Sequence, residues 1–258
     1  MPLKHPPTDT PGPLGLRSER VEVRVGDGVM SAYAACPAAP GAYPGVIVAH
    51  QLFGVTPDVR AIADTIAALG YVTIAPDFYH RSEAGVELPA DEEGRARGFA
   101  LMGELTRAGV LADVRAAQRY LRDRADASGR VGMVGVSMGG HLAYYAATQL
   151  DLAVTVVLYA GWLTGTDIPV SRPEPTLELT ADITGRMVVI VGDRDHVVTE
   201  EQRTAIAQRL EADGIRHEVI VIPDAPHAFL SVGTPTFHAT AAEQTWKLIA
   251  HSLTTELG

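Results

Sequence analysis

The chain has 258 residues, 47% hydrophobic and 20% charged, with a formal net charge of −10 and a single cysteine, Cys36. The length suits one large α/β domain or two small ones. The acidic balance argues against nucleic acid or an anionic membrane as partner, and a lone cysteine excludes an internal disulfide, in keeping with a reducing cytoplasm.

Residues 1–18 are rich in Pro, Gly and Thr and are expected to form a flexible N-terminal arm, leaving 19–258 as a single domain. Five prolines break the first fifteen residues, so no signal peptide is read there. Residues 19–25 (ERVEVRV) alternate with period two and predict a half-buried strand. Gly26-Asp27-Gly28 signals a hairpin, and 29–36 returns as a second strand. Residues 45–49 (GVIVA) form a continuous apolar run of the kind buried on both sheet faces. After the loop His50-Gln51-Leu52-Phe53-Gly54, Thr56 is a plausible N-cap with Pro57 at the first helical position; Gly70 stops that helix. Residues 71–75 are the next buried strand.

Residues 78–107 show no long clean period and predict one or two short helices over the sheet edge. Residues 111–124 form an amphipathic helix, 130–136 a strand and 138–150 a helix. Residues 152–160 give a strand far too short to span a membrane, and 161–184 an irregular segment. A strand at 186–191, a helix at 199–212, a strand at 217–222 and a closing helix at 236–253 complete the pattern. Such alternation requires an α/β fold with a mostly parallel twisted sheet of about eight strands and helices on both faces. No turn carries G-x-G-x-x-G or a Walker A sequence, and no His or Cys spacing suggests a metal, so no metal or cofactor is implied.

The chemistry centres on Gly135-Val136-Ser137-Met138-Gly139, a G-x-S-x-G sequence between a strand and a helix. That context makes it a nucleophile elbow, which exposes the Ser137 hydroxyl at the carboxyl edge of the sheet. A serine hydroxyl is a weak nucleophile and needs a base that is itself oriented by a third group. Asp195 follows the strand at 186–191 and His227 the strand at 217–222, the positions where open parallel sheets gather functional residues. Asp193 competes with Asp195 in the same turn, and Asp195 could instead cap the helix that Thr199 opens; Asp195 and His227 are favoured, with His196 as a rival base. His141, one turn into the elbow helix, reads as helix surface or packing. The backbone N–H of Met138 and that of Leu52 are the expected oxyanion donors, with the Gln51 amide beside them.

These marks, with Gly70-Tyr71, Ala75-Pro76-Asp77-Phe78-Tyr79 and Ala225-Pro226-His227-Ala228-Phe229, resemble the dienelactone hydrolase family over about residues 20–255. The resemblance implies an α/β-hydrolase fold without a large cap domain. The family's best-known members carry cysteine at the elbow and glutamate in the loop after the third strand; here they are Ser137 and Gln51. An amide takes no proton, which leaves His227 as the only general base. The family pattern also includes two arginines that bind a substrate carboxylate. Arg95 matches one, with Arg97 near enough to compete, and Ser231 stands at the place of the other.

The expected function is hydrolysis of small carboxylic esters or lactones through an acyl-enzyme, by Ser137, His227 and Asp195. A non-catalytic binding module on the same fold, and a peptidase or acyltransferase using the same triad, are the rivals. Gln51, Phe53, Arg95, Trp162 and Phe229 are the expected substrate contacts, with Tyr79, Phe99 and Met102 as further lining residues. The expected partner is a small-molecule ester or lactone in the cytoplasm, with neither nucleic acid nor membrane, and a homodimer is left open.

Overall fold

Alternate residues of the central strands enter two separate cores. Ile47, Ala49, Met133, Val157, Met187 and Val189 face one, while Val46, Val48, Val134, Val136, Val156, Val188 and Ile190 face the other. A strand covered on both faces must be apolar at nearly every position, which is why these segments read as continuous runs. The computed structural model describes residues 15–26 and 28–258.

The strands are β1 (Leu16–Val25), β2 (Gly28–Pro37), β3 (Tyr43–Ala49), β4 (Val72–Pro76), β5 (Ala127–Val136), β6 (Val154–Leu158), β7 (Arg186–Arg194) and β8 (His217–Pro226). They form one eight-stranded sheet in the order β1-β2-β4-β3-β5-β6-β7-β8. The β1–β2 and β2–β4 pairs are antiparallel; every pair from β4 to β8 is parallel. The helices are α1 (Pro57–Ala68), α2 (Glu92–Met102), α3 (Arg107–Arg122), α4 (Met138–Ala147), α5 (Glu200–Ala212) and α6 (Ala239–Leu257). Helices α1 and α6 bury Val59, Ala63, Ile66, Ile249 and Leu253 in one core. Helices α3, α4 and α5 bury Val114, Leu121, Leu142 and Leu210 in the other, joined by Leu101 and Met102 of α2. Among the described residues no separate cap domain covers the sheet, and the strand order with its flanking helices is the α/β-hydrolase architecture that the resemblance implies.

Several boundaries differ from the sequence expectation for identifiable reasons. Leu16–Ser18, expected in the N-terminal arm, open β1 and pair with Pro37, Cys36 and Ala35; residues 1–14 and Asp27 lie outside the described residues. Helix α3 starts at Arg107 because Thr106 caps it, its side chain accepting from the Gly109 amide. Its first turn is not apolar, so hydrophobic spacing placed the start four residues late. Residues 78–107 contain one helix, α2, capped by Asp91, which accepts from the Gly94 amide at 2.8 Å. The irregular segment after β6 holds two 3-10 turns, Pro169–Ser171 and Thr176–Asp182. Among the described residues no helix is long and apolar enough to cross a membrane.

Strand order reverses between β3 and β5: the chain works outward to β4 on one side and to β6, β7 and β8 on the other. Such a switch point opens a crevice at the carboxyl ends of the two strands. The loop after β3 and the elbow after β5 both empty into it.

Candidate active site

Ser137 joins β5 to α4 with φ 54° and ψ −115°. An L-residue holds that conformation only where its surroundings over-determine it. The surroundings here are two glycines. A Cβ on Gly135 would lie 2.1 Å from the Gly139 carbonyl oxygen, and one on Gly139 would lie 2.2 Å from that of Ala49. The elbow therefore closes on itself and against β3 at distances that only hydrogen atoms tolerate. The Ser137 amide donates to Leu158 O at 2.9 Å, tying the turn to β6.

The sheet brings Ser137, His227 and Asp195 together. Ser137 Oγ lies 3.0 Å from His227 Nε2, and His227 Nδ1 lies 2.9 Å from Asp195 Oδ2. A carboxylate only accepts, so Nδ1 carries the proton and Nε2 presents its lone pair to the serine hydroxyl. The other Asp195 oxygen, Oδ1, accepts from the Val197 and Val198 amides at 2.8 and 2.9 Å. These bonds hold the carboxylate in place. The Asp195 side chain is fully buried, whereas His227 keeps 14% of its side chain exposed. The rival assignments find other places. Asp193 is exposed. Helix α5 is capped by Thr199 in a reciprocal box with Gln202, so Asp195 is not its cap. His196 is exposed and meets the His227 ring edge-on at 5.9 Å.

Two backbone amides next to the crevice have no hydrogen-bond partner among the described residues: those of Met138, at the start of α4, and of Leu52, in the loop after β3. The loop holding Leu52 is anchored by Tyr79, expected as a lining residue, and by His50, for which no role was expected. Tyr79 donates its hydroxyl proton to Leu52 O at 2.9 Å. His50, fully buried, donates from Nδ1 to Gln51 O at 2.7 Å and accepts from the Phe78 amide at Nε2, 3.2 Å away. Burial lowers its pKa, so the ring stays neutral and can do both. The place of His50 directly after a strand buried on both faces was the available signal.

The expected substrate contacts divide. Gln51 is 8% exposed, and its amide has no hydrogen-bond partner among the described residues. With Phe53, Pro57, Leu88 and Ala90 it lines an open groove beside the loop after β3. Trp162, at φ 62°, meets the partly exposed Phe99 edge-on at 6.3 Å. Arg97 is ion-paired with Glu83, whereas Arg95 is exposed and shares a face of α2 with Phe99, four residues on. Phe229 is not a pocket wall. It is fully buried, packed edge-on against Tyr159 at 5.1 Å, because its backbone has already turned into the core past His227. Tyr79 is likewise buried behind the oxyanion loop and Met102 in the core. His141 packs, as expected, but as a fully buried strut: Nδ1 donates to Gly161 O and Nε2 accepts from Thr176 Oγ1, each at 2.9 Å. Cys36 is buried in β2 and burial raises its thiol pKa, the opposite of an activated nucleophile.

Comparison with known proteins places this geometry in a lineage. The carboxymethylenebutenolidase of Pseudomonas sp. (strain P51) is 32% identical over 219 residues, covering 84% of this chain and 86% of that one. A Synechocystis chain assigned the same activity is 30% identical over 232 residues, covering 88% and 92%. Among solved structures, a Klebsiella pneumoniae chain assigned to the dienelactone hydrolases superposes with a TM-score of 0.84 at 23% identity, covering 93% of this chain and 98% of that one. A Pyrococcus furiosus esterase superposes with a TM-score of 0.70 at 19% identity, covering 96% of each chain. These two likenesses speak for the fold. The family model for dienelactone hydrolases matches residues 30–257. The chain is a hydrolase of the ester and lactone type and belongs to the dienelactone hydrolase family.

Proposed function

We propose that this protein hydrolyses small carboxylic esters or lactones by a serine mechanism with an acyl-enzyme intermediate. The observation that carries the reading is the unbroken relay from Ser137 Oγ through His227 to Asp195, at 3.0 and 2.9 Å. Ser137 Oγ attacks the acyl carbon as His227 Nε2 takes its proton. The tetrahedral oxyanion is met by the Met138 and Leu52 amides, and the positive end of α4 adds to their field. Collapse breaks the carbon–oxygen bond, and His227 returns the proton to the leaving alkoxide. Water, deprotonated by the same imidazole, then cleaves the acyl-enzyme and regenerates Ser137. In a lactone the leaving group stays tethered, and ring opening is the first half-reaction.

The pocket chemistry favours substrates that do not depend on a two-arginine clamp for a carboxylate. Arg95 offers one guanidinium, but Ser231 stands where the family pattern has a second, and a hydroxyl does not replace a bidentate ion pair. Gln51 brings a neutral hydrogen-bonding group to the same loop.

Intact-mass analysis after treatment with a fluorophosphonate, with peptide mapping, tests the mechanism. One adduct on Ser137, together with turnover of p-nitrophenyl esters and none of peptide anilides, is the expected result. No adduct on folded protein would turn the reading towards a binding module on the hydrolase fold.

A further inference from the structure

Tyr159 stands between the strands that lead to Ser137 and Asp195. It is the first residue past β6, and its amide donates to Ile190 O of β7 at 2.8 Å. The carbonyl just before it, Leu158 O, accepts from the Ser137 amide. Its φ is 40°, in the left-handed region, an outlier for a bulky side chain. The residue is fully buried, and among the described residues its hydroxyl has only the Leu230 backbone amide near it, short of full hydrogen-bond geometry. Backbone strain at a bulky residue is unfavourable, so the position is held for something else. Its ring meets His227 edge-on, centroids 5.1 Å apart and planes at 70°, and is backed by Phe229 at the same distance.

His227 needs that contact for a geometric reason. Its two hydrogen bonds, to Ser137 and Asp195, define an axis through Nε2 and Nδ1. They leave the ring plane free to rock about that axis, which swings the in-plane lone pair of Nε2 off the direction of Ser137 Oγ. Only side chains packed on the ring resist the rocking, and Tyr159 is the buried one.

We propose that Tyr159 is a positioning residue for His227: its ring is the fixed wall that sets the imidazole plane between Ser137 and Asp195. The inference rests on the proposed roles of those three residues. The ring does this work and the hydroxyl does not.

The test compares Tyr159→Phe with Tyr159→Met, which fills similar volume without an aromatic ring. The Phe variant is expected to keep kcat within about twofold, because it retains the edge-to-face contact. The Met variant is expected to lose about 10- to 100-fold in kcat with KM within about threefold, as misplacement of a reacting group does. A second measurement needs no turnover: the downfield proton resonance of the His227 Nδ1–H, recorded at low temperature. It should persist in the wild type and the Phe variant and broaden or vanish in the Met variant. That pattern in a protein that cleaves no ester would sustain the positioning role while the hydrolase reading failed. A resonance unchanged in all three proteins, or a folded Met variant at wild-type kcat, overturns the proposal. So does a Phe variant impaired as far as the Met variant, which would move the role to the hydroxyl. Tyr159→Leu replaces the Met variant if that one does not fold.

Discussion

A serine held at φ 54° and ψ −115° keeps its hydroxyl in the crevice at the expense of backbone strain, on the order of 1–3 kcal/mol for such positions. Ser137→Gly and Ser137→Ala should therefore part company. Both remove Oγ and should lower kcat by about 10⁴-fold or more under the proposed mechanism. Glycine also relieves the strain, while alanine keeps it. Thermal unfolding should find the glycine variant more stable than the alanine variant by about 1 kcal/mol, the strain relief less the entropy that glycine gains in the unfolded chain. A glycine variant that melts below the alanine variant would mean that the turn stores no strain. At Gln51 the prediction is electrostatic. Gln51→Glu places a carboxylate beside the Leu52 amide, in a residue only 8% exposed, and should lower kcat/KM by about tenfold at neutral pH, where it opposes a developing oxyanion. A rise in kcat/KM would show that the loop acts otherwise. Ser137, Asp195 and His227 were legible in the sequence because each follows a recognisable strand in a motif of its own. Phe229 was misread because neighbourhood in sequence to His227 says nothing about which way the next side chain turns.

Between elements, the oxyanion loop owes its position to α2 as much as to β3. Gly98 of α2 passes so close that a Cβ there would lie 2.8 Å from Leu52 O and 2.7 Å from its Cγ. The same carbonyl accepts from the Tyr79 hydroxyl. Gly98→Ala would gain helix propensity worth roughly 0.5–1 kcal/mol but must push Leu52 aside. We expect the loop to yield at Leu52, whose amide has no partner among the described residues, with kcat falling about tenfold and the melting temperature changing little. Unchanged kcat would mean that the Leu52 amide does not serve the reaction. This dependence was not visible beforehand, since α2 is the element whose pattern was least clear. It carries Gly94, Arg95, Gly98 and Phe99 for contacts with two loops and solvent, so no apolar stripe marks it. The segment after β6 was opaque for a similar reason: its order comes from polar anchors, Arg107 on Val170 O and Glu174, and His141 on Gly161 O, which leave no periodic trace. The buried strands, by contrast, announced themselves, because burial on both faces demands an unbroken apolar run.

At the scale of the molecule, the site is as acid-sensitive as the struts that hold it. His141 links α4 to the turn that carries Tyr159 and Trp162 and to the 3-10 turn at Thr176. Burial pushes its pKa down to about 4 from an ordinary 6.5, the Gly161 bond opposing that shift only in part. The unfolded chain therefore takes up the proton first. Stability from this residue is complete above about pH 6.5, falls as pH drops towards 4, and levels off below, a loss of at most about 3 kcal/mol over the window. His50 acts in the same direction from the oxyanion loop, burial again being the main cause. The ion-paired carboxylates, Glu87 held low chiefly by Arg60, Asp126 by Arg124 and Glu256 by Arg216, add their losses at lower pH, as their depressed pKa values are crossed. Two acid phases should thus separate in denaturant unfolding followed from pH 8 to 3. The upper phase belongs to the two histidines, and His141→Gln should shrink it to the share of His50, because a glutamine gains no charge there. Activity should fall within that upper phase faster than bulk secondary structure does, since both histidines brace loops of the site while the sheet rests on its two apolar cores. Stability that stays level from pH 6.5 to 4 would show that neither ring is kept from its proton by the fold.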